Sequence, residues 1–185
     1  MPPPAVKTIR DLIYWQYGKI ISDSAGAGKK QYAFIMERFK KLQSGEIVWS
    51  SAIREYVKEH EKENQCIYCG AKDHLSLDHL IPRIKGGPDI TDNAVIACRS
   101  CNSSKSDTCI YEWFGLKRKD EIPRIVEGKY LKLLYHLHEA HNTLDIGKSY
   151  LKQLCDLCTP KSDCNRTLSV YCLESIITKF EHYKK

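Results

Sequence analysis

Hydrophobic positions recur every three to four residues at the start of the chain. In "KTIRDLIYWQYGKIIS" (7–22), Ile9, Leu12, Ile13, Tyr17 and Ile20 fall on one helical face. "DSAGAGKK" interrupts the period. Its Gly28-Lys29 lacks the first glycine (Asp23) and the hydroxyl residue (Lys30) of a phosphate-binding loop, so it is read as a turn. The helical period resumes in "QYAFIMERFKKLQSG", with Gly45 placed to cap the C-terminus. Ser50 or Ser51 can start a third helix through "SAIREYVKEHEKE". Residues 1–62 are therefore expected to form a helical arm.

The pattern then changes. "LSLDHL" and "NAVIAC" read as short strands separated by a Gly/Pro loop. "CNSSKSDTCIYEWFG" predicts one helix ending at Gly115. "IPRIVEGKYLKLLYHLHEAH" places Val126, Tyr130, Leu133, Leu134 and Leu137 on one stripe, an amphipathic helix. The expected fold class is α+β and mostly helical. A small ββα core over 63–116 is flanked by the N-terminal arm and by a C-terminal helical region over 117–185.

Charge adds a preference for a polyanion: 29 basic residues against 23 acidic give a net +6 over 185 residues. Nine cysteines add more. An odd count with tight Cys-x-x-Cys pairs does not suit a disulfide framework. "MPPPAVKTIRDLIYW" has no long apolar run of a signal peptide, and no stretch reaches membrane-spanning length. The expectation is a cytoplasmic protein, without membrane contact, whose reduced thiols can take metal.

"CIYC" (Cys66, Cys69) and "CRSC" (Cys98, Cys101) are two such pairs, 28 residues apart. Two residues between thiolates let both bend round one ion, and two pairs complete a tetrahedral structural zinc site with no open position. The ion would clamp a hairpin too small to hold itself. In the tail, Cys155, Cys158, Cys164 and Cys172 follow x2, x5 and x7 spacings. They suit a second zinc, an iron–sulfur cluster, or buried thiols; zinc is the first expectation. Cys109 is expected in the core.

Between the knuckles lie Asp78-His79 in "LDHLIPRIKGG" and Asn93 in "TDNAVIACRSCN", with Asn102 directly after the last zinc cysteine. In this order, with the two cysteine pairs, residues 66–107 resemble the HNH endonucleases, the ββα-metal or His-Me finger family. The resemblance implies roles. His79 would be the general base that takes a proton from water. Asp78 and Asn102 would ligate one Mg²⁺ or Mn²⁺, and Asn93 would hold the loop and the His79 ring. The family name leads one to expect His where this chain has Asn102, a harder oxygen ligand that favours Mg²⁺.

Adjacent strand residues point to opposite faces, so Asp78 and His79 can converge on one phosphate only if the strand ends or twists there. Pro82 and Gly86-Gly87 would allow that. Arg83, Lys85, Arg99 and Lys105 surround the motif and are expected to meet DNA phosphates, Arg83 and Lys105 foremost. His74, His136, His138 and His141 are expected at the surface. The implied activity is DNA phosphodiester hydrolysis by a restriction-type enzyme, with a homodimer cutting both strands. The alternatives are a nicking endonuclease of a phage or mobile element, and a non-catalytic zinc-stabilised nucleic-acid-binding module.

Overall fold

The computed structural model describes residues 2–48, 64–157, 164 and 167–181. The third helix expected after Ser50 lies outside the described residues. The fold is mostly helical, with one two-stranded antiparallel hairpin.

Helix α1 (Ile9–Ser24) begins with a reciprocal cap: Asp11 N donates to Thr8 Oγ1, and Thr8 N donates to the Asp11 carboxylate. Its predicted apolar face is buried throughout: Ile9, Leu12, Ile13, Tyr17 and Ile20. Helix α2 (Tyr32–Gln43) lies close against it at Gly18, where a Cβ would sit 3.2 Å from the Ile35 carbonyl oxygen. Gly45, at φ 78°, turns the chain out of α2 as expected.

Strand β1 (Leu75–His79) pairs with β2 (Ala94–Cys98) in the register Leu75↔Cys98, Asp78↔Val95, His79↔Ala94. Helix α3 (Arg99–Lys105) follows β2 without a break. The single helix expected up to Gly115 is divided. Ser106 takes φ 50°, ending α3, and α4 (Ile110–Phe114) starts afresh from Cys109. Periodicity could not reveal this break, because Ser106 and Asp107 are ordinary polar residues.

Helix α5 (Arg124–Ala140) buries Val126, Tyr130, Leu133 and Leu134 of its predicted stripe, with Leu137 partly buried. It packs beside α1 and holds the hairpin through Lys129, whose Nζ donates to the Ala94 carbonyl at 3.0 Å. A 3₁₀ stretch (Val170–Glu174) leads into α6 (Ser175–Glu181). Glu174 caps α4: its carboxylate accepts from Tyr111 N at 2.6 Å and Glu112 N at 3.0 Å. Burial pushes the Glu174 carboxyl up to about 7. One apolar cluster joins α1, α2, α5 and the C-terminal segment to Leu80, Ile81 and Val95 of the hairpin and to Cys109, which is in the core as expected. His138 corrects the surface expectation. It is fully buried, and its Nδ1 lies 2.8 Å from Thr143 Oγ1. An apolar helix face carried it inward. No helix among the described residues is long and apolar enough to cross a membrane.

Candidate metal cluster and active site

Cys66 and Cys69 precede β1, Cys98 closes β2, and Cys101 lies in the first turn of α3. Strand pairing and helix start thus deliver four thiols to one point, with every Sγ within 4.8 Å of the others. Gly70 at φ 77° lets the first knuckle close, and Ile67 N donates to Ile96 O at 2.9 Å, joining that knuckle to β2. Cys69 Sγ and Cys98 Sγ are 3.6 Å apart. Sulfurs about 2.3 Å from a tetrahedral zinc would stand roughly 3.8 Å apart, so the cluster fits that ion. Burial alone would raise the Cys66 thiol, but amides of Cys98, Cys69 and Tyr68 bring it down to about 7. Burial and neighbouring sulfurs push Cys101 well up, and Cys69 is raised too. Crowded thiols resist losing successive protons, and a divalent ion removes that resistance.

The loop after β1 is clamped by Asn93, which is wholly buried. Its Oδ1 accepts from Ile81 N at 2.8 Å, and its Nδ2 donates to Ile81 O at 2.9 Å and Pro88 O at 2.8 Å. Gly87 is required by this closeness: a Cβ there would stand 1.9 Å from Ile81 O. Asn93 thus holds loop backbone. The partner of the His79 ring is Asp89, whose Oδ1 is 3.3 Å from His79 Nε2.

Asp78 and His79 both pair within the ladder, opposite Val95 and Ala94, and differ in burial. The Asp78 side chain is 3% exposed and that of His79 is 22% exposed. Inside, Asp78 Oδ1 accepts from Lys105 Nζ at 2.9 Å, and Oδ2 accepts from Tyr68 OH at 2.7 Å. Lys105 Nζ also donates to the His79 carbonyl at 2.6 Å. Tyr68 comes from the first knuckle and packs edge-on against Trp113, centroids 4.8 Å apart. A chain of contacts therefore runs from the thiol cluster to the Asp-His pair. Asn102, in α3, donates from Nδ2 to Ser76 Oγ at 3.1 Å and to Leu77 O at 3.2 Å. With His74, Leu75, Arg99 and Ser103, Ser76 and Asn102 line an open groove along β1.

Two of the basic residues expected to meet DNA are held by carboxylates in this structure. Lys105 has a side chain only 1% exposed and faces Asp78. Lys85 is largely covered, with Nζ 3.1 Å from Glu112 Oε2. Charge attracted both inward: each found a carboxylate distant in sequence. Arg83, with its side chain 69% exposed and 3.9 Å from Asp89, and Arg99 remain at the surface.

Carboxylate and carboxamide oxygens are hard donors of the kind Mg²⁺ and Mn²⁺ take. In this structure Asp78 is already neutralised by the Lys105 ammonium, 2.9 Å from its Oδ1. Among the tail cysteines, Cys158 lies outside the described residues. Burial raises the Cys172 thiol, and among the described residues Cys155, Cys164 and Cys172 are not part of the clustered thiols. Sequence reading missed Tyr68, Asp89 and Glu112. A usable signal existed for Lys105, which sits three and four residues after Asn102 and Cys101 and so shares their helix face.

Residues 66–108 match the family model described as HNH endonuclease. A curated relative, "SPbeta prophage-derived putative HNH endonuclease YoqL" of Bacillus subtilis (strain 168), is 32% identical over 108 residues, with 49% of this chain and 42% of the relative covered. The chain thus spans less than half the length of that relative. No solved structure matches the chain. The hairpin, the helix after it and the four clustered thiols all fall within residues 66–108, the stretch that is similar to the HNH endonuclease family.

Proposed function

We propose that the protein is a metal-dependent DNA endonuclease that hydrolyses phosphodiester bonds with His79 as general base. The observation that carries this reading is His79 itself. Its ring is partly open to solvent at the end of β1, while everything behind it is fixed. Asn93 locks the following loop, Lys105 holds the His79 carbonyl, and Asp89 meets the ring. A positioned imidazole takes a proton from water as the water oxygen bonds to phosphorus. The bond from phosphorus to the 3′-oxygen breaks, that oxygen gains a proton from solvent, and 5′-phosphate and 3′-hydroxyl ends remain.

Asp78 and Asn102 would hold Mg²⁺ or Mn²⁺, which neutralises phosphate charge and the leaving oxygen. Arg83 and Arg99, both exposed, are placed to meet flanking phosphates. Cys66, Cys69, Cys98 and Cys101 would hold structural zinc, and Cys155, Cys158, Cys164 and Cys172 a second. A homodimer would cut both strands.

Biologically, the prophage-derived relative favours a phage or mobile-element nuclease over a restriction-type enzyme. A nicked circle as the end product supports a nicking enzyme, and a linear product the paired cutter. The test of the chemistry is plasmid cleavage with Mg²⁺, with and without EDTA. His79→Ala should fold and cut about 10² to 10⁴ times more slowly. An undiminished rate overturns the role of His79. No EDTA-sensitive cutting by the native protein would support the non-catalytic binding module instead.

A further inference from the structure

The Lys105–Asp78 pair is hard to reconcile with a static cation site. Asp78 is the carboxylate proposed above to hold the divalent ion, yet both its oxygens already accept hydrogen bonds. One of the donors is a full positive charge with a side chain 1% exposed. A divalent ion bonded to Oδ1 would sit about 2.1 Å from that oxygen. The Lys105 ammonium is 2.9 Å from the same oxygen, which brings the two cations within about 5 Å in a space closed to water. Like charges so placed repel strongly where solvent does not screen them. The carboxylate can serve one or the other.

We infer that Lys105 is a built-in counter-cation that competes with the divalent ion for Asp78, so that binding the ion displaces the ammonium. This rests on the reading of Asp78 as a cation ligand. The fold permits the exchange. Lys105 is the last residue of α3, and Ser106 at φ 50° turns the chain away, so the side chain can swing out without unwinding a following helical turn. Tyr68 remains on Oδ2 and keeps the carboxylate in place. The His79 carbonyl loses its ammonium donor in the same event, so cation binding at Asp78 is felt by the backbone of the general base. With the site empty, the pair keeps Asp78 neutralised and holds α3 against β1. The divalent affinity is lowered by the fraction of time the ammonium occupies the carboxylate.

The test is calorimetric titration of the zinc-loaded full chain with Mn²⁺. Lys105→Met removes the competitor, and the ion should bind about tenfold more tightly or better. Equal or weaker binding by a folded Lys105→Met overturns the competition. Asp78→Asn should lose the Mn²⁺ site. If it binds Mn²⁺ as the native chain does, the reading of Asp78 as a cation ligand fails, and the inference fails with it.

Should Lys105→Met not fold, the native chain decides. Lys105 should resist an amine-acylating reagent without Mn²⁺ and react when Mn²⁺ is saturating, as read by peptide mass spectrometry. Lys105 protected in both conditions overturns the displacement.

Discussion

Replacing Asn93 by alanine removes three hydrogen bonds at once: one accepted from Ile81 N and two donated, to Ile81 O and Pro88 O. Asn93 has 0% exposure and Ile81 5%, so water does not restore the two Ile81 partners, although Pro88 is exposed. An orphaned buried N–H costs about 1–3 kcal/mol, and each lost bond to a carbonyl roughly 0.5–1.5 kcal/mol. The expected destabilisation is about 3–5 kcal/mol, a large share of the ~5–15 kcal/mol that holds a typical domain. For a chain of this size that lowers Tm by roughly 6–20 °C.

Asn93→Asp separates the two halves of the clamp. It keeps an acceptor for Ile81 N but sets a carboxylate against two carbonyl oxygens, so its loss at neutral pH should be at least as large. The assay is urea denaturation of zinc-loaded protein followed by far-ultraviolet circular dichroism, with cleavage measured beside it. Because the clamp fixes the loop that leaves His79, cleavage should fall even where the variant remains folded. Both variants within about 1 kcal/mol of the native chain would refute the clamp.

Zinc should be present at one per chain through Cys66, Cys69, Cys98 and Cys101, rising to two if the tail cysteines hold another. Cys98→Ser should lose that ion and the folded core, since metal binding is folding energy in so small a hairpin; elemental analysis below one zinc in fresh native protein would remove the cluster's role. For His138, burial holds the folded pKa down to about 4, outweighing a hydrogen bond with the Leu173 backbone. The unfolded chain binds this proton near 6.5, so as pH falls from 6.5 to 4 the native state should lose up to about 3 kcal/mol. The stability difference between the native chain and His138→Gln should shrink over that range, and parallel pH profiles would contradict it.

Short-range patterns were legible in the sequence because their physics is local. The 3.6-residue period of α1 and α5 reports which face is apolar. The x2 spacing in "CIYC" and "CRSC" reports what one ion can bridge, and Gly45 reports where a helix can turn left-handed. The Asp-His, Asn and Asn of the motif fall on the hairpin, on the loop before β2 and on α3.

What only the tertiary structure decided was where charge goes. Lys105 and Arg83 look alike as basic residues near a motif. One is buried against Asp78, 27 residues away in sequence, and the other is in solvent. His138 and His136 are two residues apart, one sealed in the core and one exposed. Asp89 meets His79 only because Asn93 folds the intervening loop back at Gly87. Burial of a polar group depends on whether a partner waits for it inside, and that partner is supplied by the packing of distant segments, which no local period encodes.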